Sequence, residues 1–281
     1  MERGGVAFVL GGGGRLGAHE VGMLAALLER GIVPDLVVGT SVGAINGAAV
    51  AADPTARAAS RLEELWSAMD AGDVFGGSPL GRLATLARSR THLHGNEALR
   101  ELLGASLPPR FDDLAVPFQC VAASIERAAE RWFDSGPLVD AVLASAAVPG
   151  LLPPVRIGEE HFLDGGIVNS IPVSRAVELG AREVYVLHVG RLDRPLEPPR
   201  WPWEVGLVAF EIARRHRFVR DLEGMPADVD VHVLPTGDPD PARFSDVSQL
   251  RYRDTSEVRV RIRRAREATA AYLARRGSGA T

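Results

Sequence analysis

The stretch Asp35-Leu-Val-Val-Gly-Thr-Ser41-Val-Gly-Ala-Ile-Asn46 decides how the rest of the chain is read. Leu36, Val37 and Val38 form a short apolar run, the pattern of a strand buried on both faces. Residues 42–49 are mostly small and read as a helix that packs closely on its neighbours. Between them, Gly39-Thr40-Ser41-Val42-Gly43 fits G-x-S-x-G at a strand-to-helix turn. So tight a turn leaves no room for side chains two residues before or after the serine, and both places are glycine. Its strained backbone would hold the Ser41 hydroxyl at the N-terminus of a helix, where the helix dipole favours developing negative charge. Ser41 is thus a candidate nucleophile. The plainer alternative is a glycine-rich turn with no chemistry.

Upstream, the apolar run 6–10 leads into Gly11-Gly12-Gly13-Gly14-Arg15-Leu16-Gly17, followed by Met23, Leu24, Leu27 and Leu28 at helical spacing. Gly31 and Pro34 close that helix before the strand at Leu36. Two strand–helix units in succession predict an α/β fold, a three-layer α/β/α arrangement around a mainly parallel central sheet. Downstream, 54–115 reads as a half-helical insertion, either a lid over the site or a helical layer on the sheet; within it, 72–94 matches no clear pattern. Strands are expected over 118–124, 131–133 and 161–163, and again over 183–189 and 229–234. Helices are expected over 138–147, 172–179 and 255–276, with a frayed tail at 277–281. No linker divides the 281 residues, so 1–281 reads as one domain.

Composition narrows the function classes. Apolar residues make up 46% and charged residues 24%, ordinary for a protein with a large core. A net charge of -4 gives no reason to expect a nucleic-acid partner. The basic side chains are all arginine or histidine, which reads as compositional bias. The one cysteine, Cys120, lies in an apolar run and reads as an inert core thiol. The first apolar run is too short for a signal peptide and no run reaches membrane-spanning length, so a cytoplasmic protein, free or peripherally bound, is expected. Neither H-E-x-x-H nor an EF-hand spacing occurs; no metal or cofactor is expected.

The glycine loop has two uses. Gly12 to Gly17 satisfies G-x-G-x-x-G, the dinucleotide fingerprint, which expects an acidic residue at the tip of the second strand. That tip is Val38-Gly39-Thr40-Ser41, and Asp35 stands at the other end. Alternatively, successive glycines leave backbone N–H groups free to converge on an oxyanion. A serine nucleophile also needs a base. Asp164-Gly165-Gly166 ends a strand and should reach the same sheet edge, although an aspartate before two glycines is ordinarily a turn. His188, His216 and His232 follow Asp164 in the order serine, acid, histidine, so a triad stays open. His19, beside the glycine loop, could line the pocket.

Gly12-Gly13-Gly14, Gly39-Thr40-Ser41-Val42-Gly43, Ala144-Ser145-Ala146-Ala147-Val148-Pro149 and Asp164-Gly165-Gly166, in this order, resemble the motifs of the patatin-like phospholipase family. The resemblance implies a serine hydrolase acting on lipid acyl esters through a Ser–Asp dyad, without a catalytic histidine. It makes Ser41 the nucleophile and Asp164 its base, with Gly12, Gly13 and Gly14 furnishing the oxyanion hole. Arg15, Gly17, His19, Gly165 and Gly166 become candidates for pocket or loop support. The family usually writes its loop G-G-G-x-[Arg/Lys]-G; here Leu16 holds the basic position and Arg15 comes one earlier. The expected substrate is a lipid or fatty-acyl ester. The rivals are an acyltransferase of the same fold, a dinucleotide-binding protein using Gly12 to Gly17, and a catalytically silent lipid-binding protein.

One further stretch, Trp201-Pro202-Trp203 through Phe210 to Arg214-Arg215-His216-Arg217, has the make-up of a helix at a membrane interface. The preferred expectation is a surface helix that buries Leu207, Phe210 and Phe218 in the core.

Overall fold

The computed structural model describes residues 5–70, 85, 90–189, 195–238 and 255–277. Its elements run β1 (Gly5–Leu10), α1 (Ala18–Glu29), β2 (Leu36–Thr40), α2 (Val42–Ala52), α3 (Ala56–Asp70), α4 (Glu97–Ser106), β3 (Phe118–Ser124), β4 (Ala129–Phe133) and α5 (Leu138–Ser145). They continue with β5 (Val155–Ile157), β6 (Glu160–Asp164), α6 (Gly166–Asn169), α7 (Val173–Glu178), β7 (Ala181–Leu187), α8 (Pro202–Glu223), β8 (Asp230–Val233) and α9 (Thr255–Gly277). The tail beyond 277 and most of the unassigned stretch 72–94 lie outside the described residues.

Apolar strands must be covered on both faces, and alternate residues show by what. Phe8, Leu10 and Val37 enter a core with side chains of α1 to α5 and α9. Ala7, Val9 and Val38 enter a second core with Val173 and Ala176 of α7 and Phe218 of α8. The result is the α/β/α layering. Within the expected insertion, α3 buries Leu62, Leu65 and Trp66, and α4 buries Leu99 and Leu103, so these two helices belong to the packed layer.

Five strands are parallel in the order β3-β2-β1-β7-β8, while β4, β5 and β6 pair antiparallel. The two edges of β3 decide where the chemistry sits. One edge pairs with β4 along Cys120 to Ser124. The other edge is shared: β2 pairs with Phe118 to Val121 and β6 with Ala122 to Ser124. β2 runs parallel to β3 and β6 runs against it, so the two approach head-on. They stop at adjacent positions, Thr40 opposite Val121 and Asp164 opposite Ala122. The expectation that Asp164 ends a strand is met, but the route differs: β6 arrives from beyond the edge because β3 overruns β2.

Several boundaries moved. α5 stops at Ser145, two residues short of the expected end; Pro149 lacks an N–H and in a continuing helix its ring would clash with the Ser145 carbonyl four residues before it. β5 went unanticipated; it follows Pro153-Pro154 and forms a hairpin with β6 through Gly158, whose φ is 63°. Cys120 is fully buried, and burial pushes its thiol pKa upward, consistent with an inert core residue.

Candidate active site

Ser41 has φ 55° and ψ −125°, a conformation costly for any residue with a Cβ. The two glycines around it explain how the turn closes. A Cβ on Gly39 would lie 2.5 Å from the Gly43 carbonyl oxygen, and one on Gly43 2.3 Å from that of Leu10 at the end of β1. The Ser41 carbonyl accepts the Ala44 N–H at 2.9 Å, starting α2 directly beneath the hydroxyl. Its own N–H donates to the Ser145 hydroxyl at 2.9 Å, and the Thr40 hydroxyl donates to the Asn169 carbonyl at 2.8 Å.

Asp164 is held to match. Its N–H donates to the Ala147 carbonyl at 2.9 Å, and the next N–H, of Gly165, to the Ser145 carbonyl at 3.0 Å. A Cβ on Gly165 would stand 2.1 Å from the Val121 carbonyl oxygen, so only glycine lets this turn lie against β3 where β2 ends. The Gly166 N–H donates to Asp164 Oδ1 at 2.7 Å and fixes the carboxylate's rotation. Oδ2 accepts the Ser41 Oγ hydrogen at 2.5 Å. Both residues are 6% exposed. Burial outweighs the bonds from Ser41 and Gly166 and raises the Asp164 pKa to about 6.

The glycine loop lies against this pair: a Cβ on Gly12 would be 3.3 Å from Ser41 Cβ. The expected trio of donors needs correction, however. The Gly12 N–H is already given to the Ser170 carbonyl at 2.9 Å, because the segment after the Asp164 turn runs alongside the loop. The N–H groups of Gly13 and Gly14 have no partner among the described residues. Gly14, at φ 55°, turns the chain into a short 3-10 segment (Gly14–Gly17).

Of the candidate supports, Arg15 is buried with its guanidinium 3.7 Å from Glu257 of α9, fastening the loop to the last helix. Gly17 lets Val42 and Trp66 close in: a Cβ there would be 2.6 Å from the former and 2.8 Å from the latter. His19 is buried, not solvated; its Nδ1 lies 2.8 Å from the Leu16 carbonyl oxygen and its Nε2 3.3 Å from Asp238. No histidine stands between Ser41 and Asp164. His188 rests beside Gly11 and Phe218, His216 is exposed on α8, and His232 stacks on Tyr185 at the far edge of the sheet.

Two contributors escaped the sequence reading. Ser145 binds the backbones of both Ser41 and Gly165; only its place in Ala144-Ser145-Ala146-Ala147 hinted at a role. Glu20 of α1 is fully buried and accepts the Asn46 amide at 2.7 Å; burial raises its pKa well above the usual value. Asn46 also donates to the Gly17 carbonyl at 3.0 Å and accepts the Trp66 indole N–H at 2.9 Å, tying α2 and α3 to the glycine loop. A lone glutamate in the run 18–28 was the available signal. Among the described residues no group of three or more His, Cys, Asp or Glu could hold a metal ion.

The family model described as patatin-like phospholipase matches residues 8–177. Lysophospholipase NTE1 of Mycosarcoma maydis is 31% identical over 196 residues, which are 67% of this chain and 10% of that protein. Patatin-like phospholipase domain-containing protein 6 of Mus musculus is 34% identical over 192 residues, 67% of this chain and 14% of that protein. The chain therefore spans only a small part of the length of these relatives. The crystal structure of VipD from Legionella pneumophila aligns over 96% of this chain and 66% of that one, with a TM-score of 0.49 and 15% identity. At that level it carries no argument about the site.

Proposed function

The chain belongs to the patatin-like phospholipase family, and from that premise we propose that it hydrolyses carboxylic esters of lipids with Ser41 as nucleophile and Asp164 as base. Phospholipase A and lysophospholipase chemistry both fall within this reading. The observation that carries it is the direct hydrogen bond from Ser41 Oγ to Asp164 Oδ2, at 2.5 Å and away from water.

The geometry supports the following steps. Ser41 Oγ attacks the ester carbonyl carbon while its proton passes to Asp164 Oδ2. Negative charge collects on the carbonyl oxygen, and the N–H groups of Gly13 and Gly14 are the donors left to receive it, aided by the N-terminus of α2. Collapse of the tetrahedral intermediate breaks the ester C–O bond, and the proton on Asp164 goes to the departing alcohol. A water, deprotonated by Asp164, then attacks the acyl-enzyme and restores Ser41. An aspartate with its ordinary pKa would be a poor proton acceptor; raised to about 6, it accepts more readily and is still ionised at neutral pH. A lipid substrate implies peripheral contact with a membrane surface. No described helix is long and apolar enough to cross one.

Fluorophosphonate labelling followed by intact mass, beside hydrolysis of a soluble short-chain ester and of lysophosphatidylcholine, tests the assignment. Wild type should gain one adduct and Ser41→Ala none. Asp164→Asn should lose turnover by roughly 10³-fold or more, while His188→Ala and His232→Ala remain active. An unlabelled wild type, or an active Asp164→Asn, overturns the dyad.

A further inference from the structure

Helix α8 buries a charged cluster and leaves several apolar side chains exposed. Glu211, 7% exposed, is paired at 2.7 Å with both Arg214 and Arg215, beside the buried Val208 and Phe218. On the opposite face Val205 and Ile212 are each 54% exposed, Val219 46% and Phe210 42%, with Gly206, Ala209 and Ala213 open between them. The expectation that Phe210 enters the core therefore fails: Phe218 is buried, Leu207 is half-buried and Phe210 faces out. From Val205 to Val219 the stripe is about 21 Å long at 1.5 Å per residue. A surface helix of a free-standing protein has the reverse polarity, and an exposed apolar patch of this kind marks a partner.

The stripe adjoins the dyad. The Phe210 ring reaches within 3.3 Å of where a Gly166 Cβ would be, and Arg217 donates to the Val168 carbonyl at 2.8 Å, clamping α8 onto α6. Ile167 of α6, three residues after Asp164, is itself exposed beside this junction. The charge around the face selects the occupant. No exposed residue from Val205 to Arg220 is acidic, while His216 and Arg220 lie exposed within it and Trp201 stands exposed at its start; beyond its two ends Arg200 is exposed, as are Glu197 and Glu223. A second copy of this stretch would bring only more of the same basic groups; a bilayer brings phosphates to them and hydrocarbon to the stripe.

We propose that the outer face of α8, with Ile167, seats on an anionic phospholipid bilayer and positions lipid esters at the Ser41–Asp164 edge. The proposal rests on the hydrolase reading for its purpose, but binding can be measured without catalysis. Flotation of the Ser41→Ala protein with vesicles of phosphatidylcholine alone, and of phosphatidylcholine mixed with phosphatidylglycerol, reads binding directly. Binding is expected to the mixed vesicles, and to fall about tenfold or more in Val205→Asp/Ile212→Asp on the same background. With Ser41 present, that double variant should hydrolyse a soluble short-chain ester at the wild-type rate yet lose activity on vesicle lipid. A Val205→Ser/Ile212→Ser pair gives the same readout with less risk to the helix. Absence of vesicle binding, or binding by both double variants as tight as that of the parent protein, overturns the proposal. So does a dimer in sedimentation velocity that these substitutions dissolve, which would make a second copy the occupant. Failure of the wild type to hydrolyse any ester would instead strike the hydrolase reading and leave the flotation result standing.

Discussion

Ser41 Oγ donates its hydrogen to Asp164 Oδ2, and in the proposed mechanism the environment of Asp164 sets when that proton moves. With its pKa raised to about 6 by burial, the carboxyl is protonated and useless as a base in acid, and ionised above that value. Turnover of a soluble ester should therefore climb as pH rises through about 6 and level off beyond it; a kcat/KM profile flat across that range would contradict the role given to Asp164. Ser145 is a positioning residue in the same reading. Ser145→Ala leaves the buried Ser41 N–H without its acceptor, a cost of about 1–3 kcal/mol that falls on the strained turn. Fluorophosphonate labelling should slow by roughly 10- to 100-fold with KM for the ester little changed, and Ser145→Thr should restore much of the rate. If the Ala variant labels at the wild-type rate, the brace is only structural. The proposed nucleophile could be named from sequence because G-x-S-x-G states a steric requirement over five consecutive residues. Ser145 could not, since its partner is 104 residues away.

At the scale of elements, glycines that look alike in the sequence do different things. Gly165 lies against β3, where a Cβ would meet the Val121 carbonyl at 2.1 Å; Gly165→Ala must push β6 from β3 and part the dyad. It should cost roughly 2–4 kcal/mol in urea unfolding and remove most activity. Gly104, on the exposed face of α4, has nothing within 4 Å of a Cβ. Gly104→Ala should stabilise the protein by about 0.5–1 kcal/mol with activity unchanged, by favouring helix and restricting the unfolded chain. If both behave alike in denaturation, the packing of the Asp164 turn is misjudged. Most elements were legible from apolar periodicity, and their ends slipped where neighbours took over. β5 is three residues long and exists by pairing with β6, which no local pattern could announce. The polarity of α8 was misread for a related reason: its apolar residues encode a face, but composition does not say whether that face meets the core or a partner.

For the whole molecule, the proposed base works against the fold. In the unfolded chain the Asp164 carboxyl would release its proton near ~3.9. In the folded protein it keeps it to about 6. Between these values the folded state binds more protons, so this group's contribution to stability is lost as pH rises through that window. Above it the buried carboxylate is a standing cost of about 3 kcal/mol. Asp164→Asn should accordingly be more stable than wild type at a pH well above 6, by about 1–3 kcal/mol. The gap should shrink toward about pH 4 in parallel denaturation curves. A difference independent of pH would mean that Asp164 titrates alike in both states.

The sequence by itself determined the class of fold, the glycine turn under Ser41, the loop of amides before it and the family to which the chain belongs. Each is written in consecutive residues, as apolar runs, small residues at fixed offsets and motif order. Tertiary structure alone decided that β2 and β6 meet tip to tip on one edge of β3, bringing Ser41 to Asp164 across a sequence separation of 123. It also decided that the Gly12 amide is spent on Ser170 and that α8 shows its apolar face to the outside. Strand pairing, the spending of a hydrogen bond and burial are relations between distant segments, settled only when the chain closes on itself.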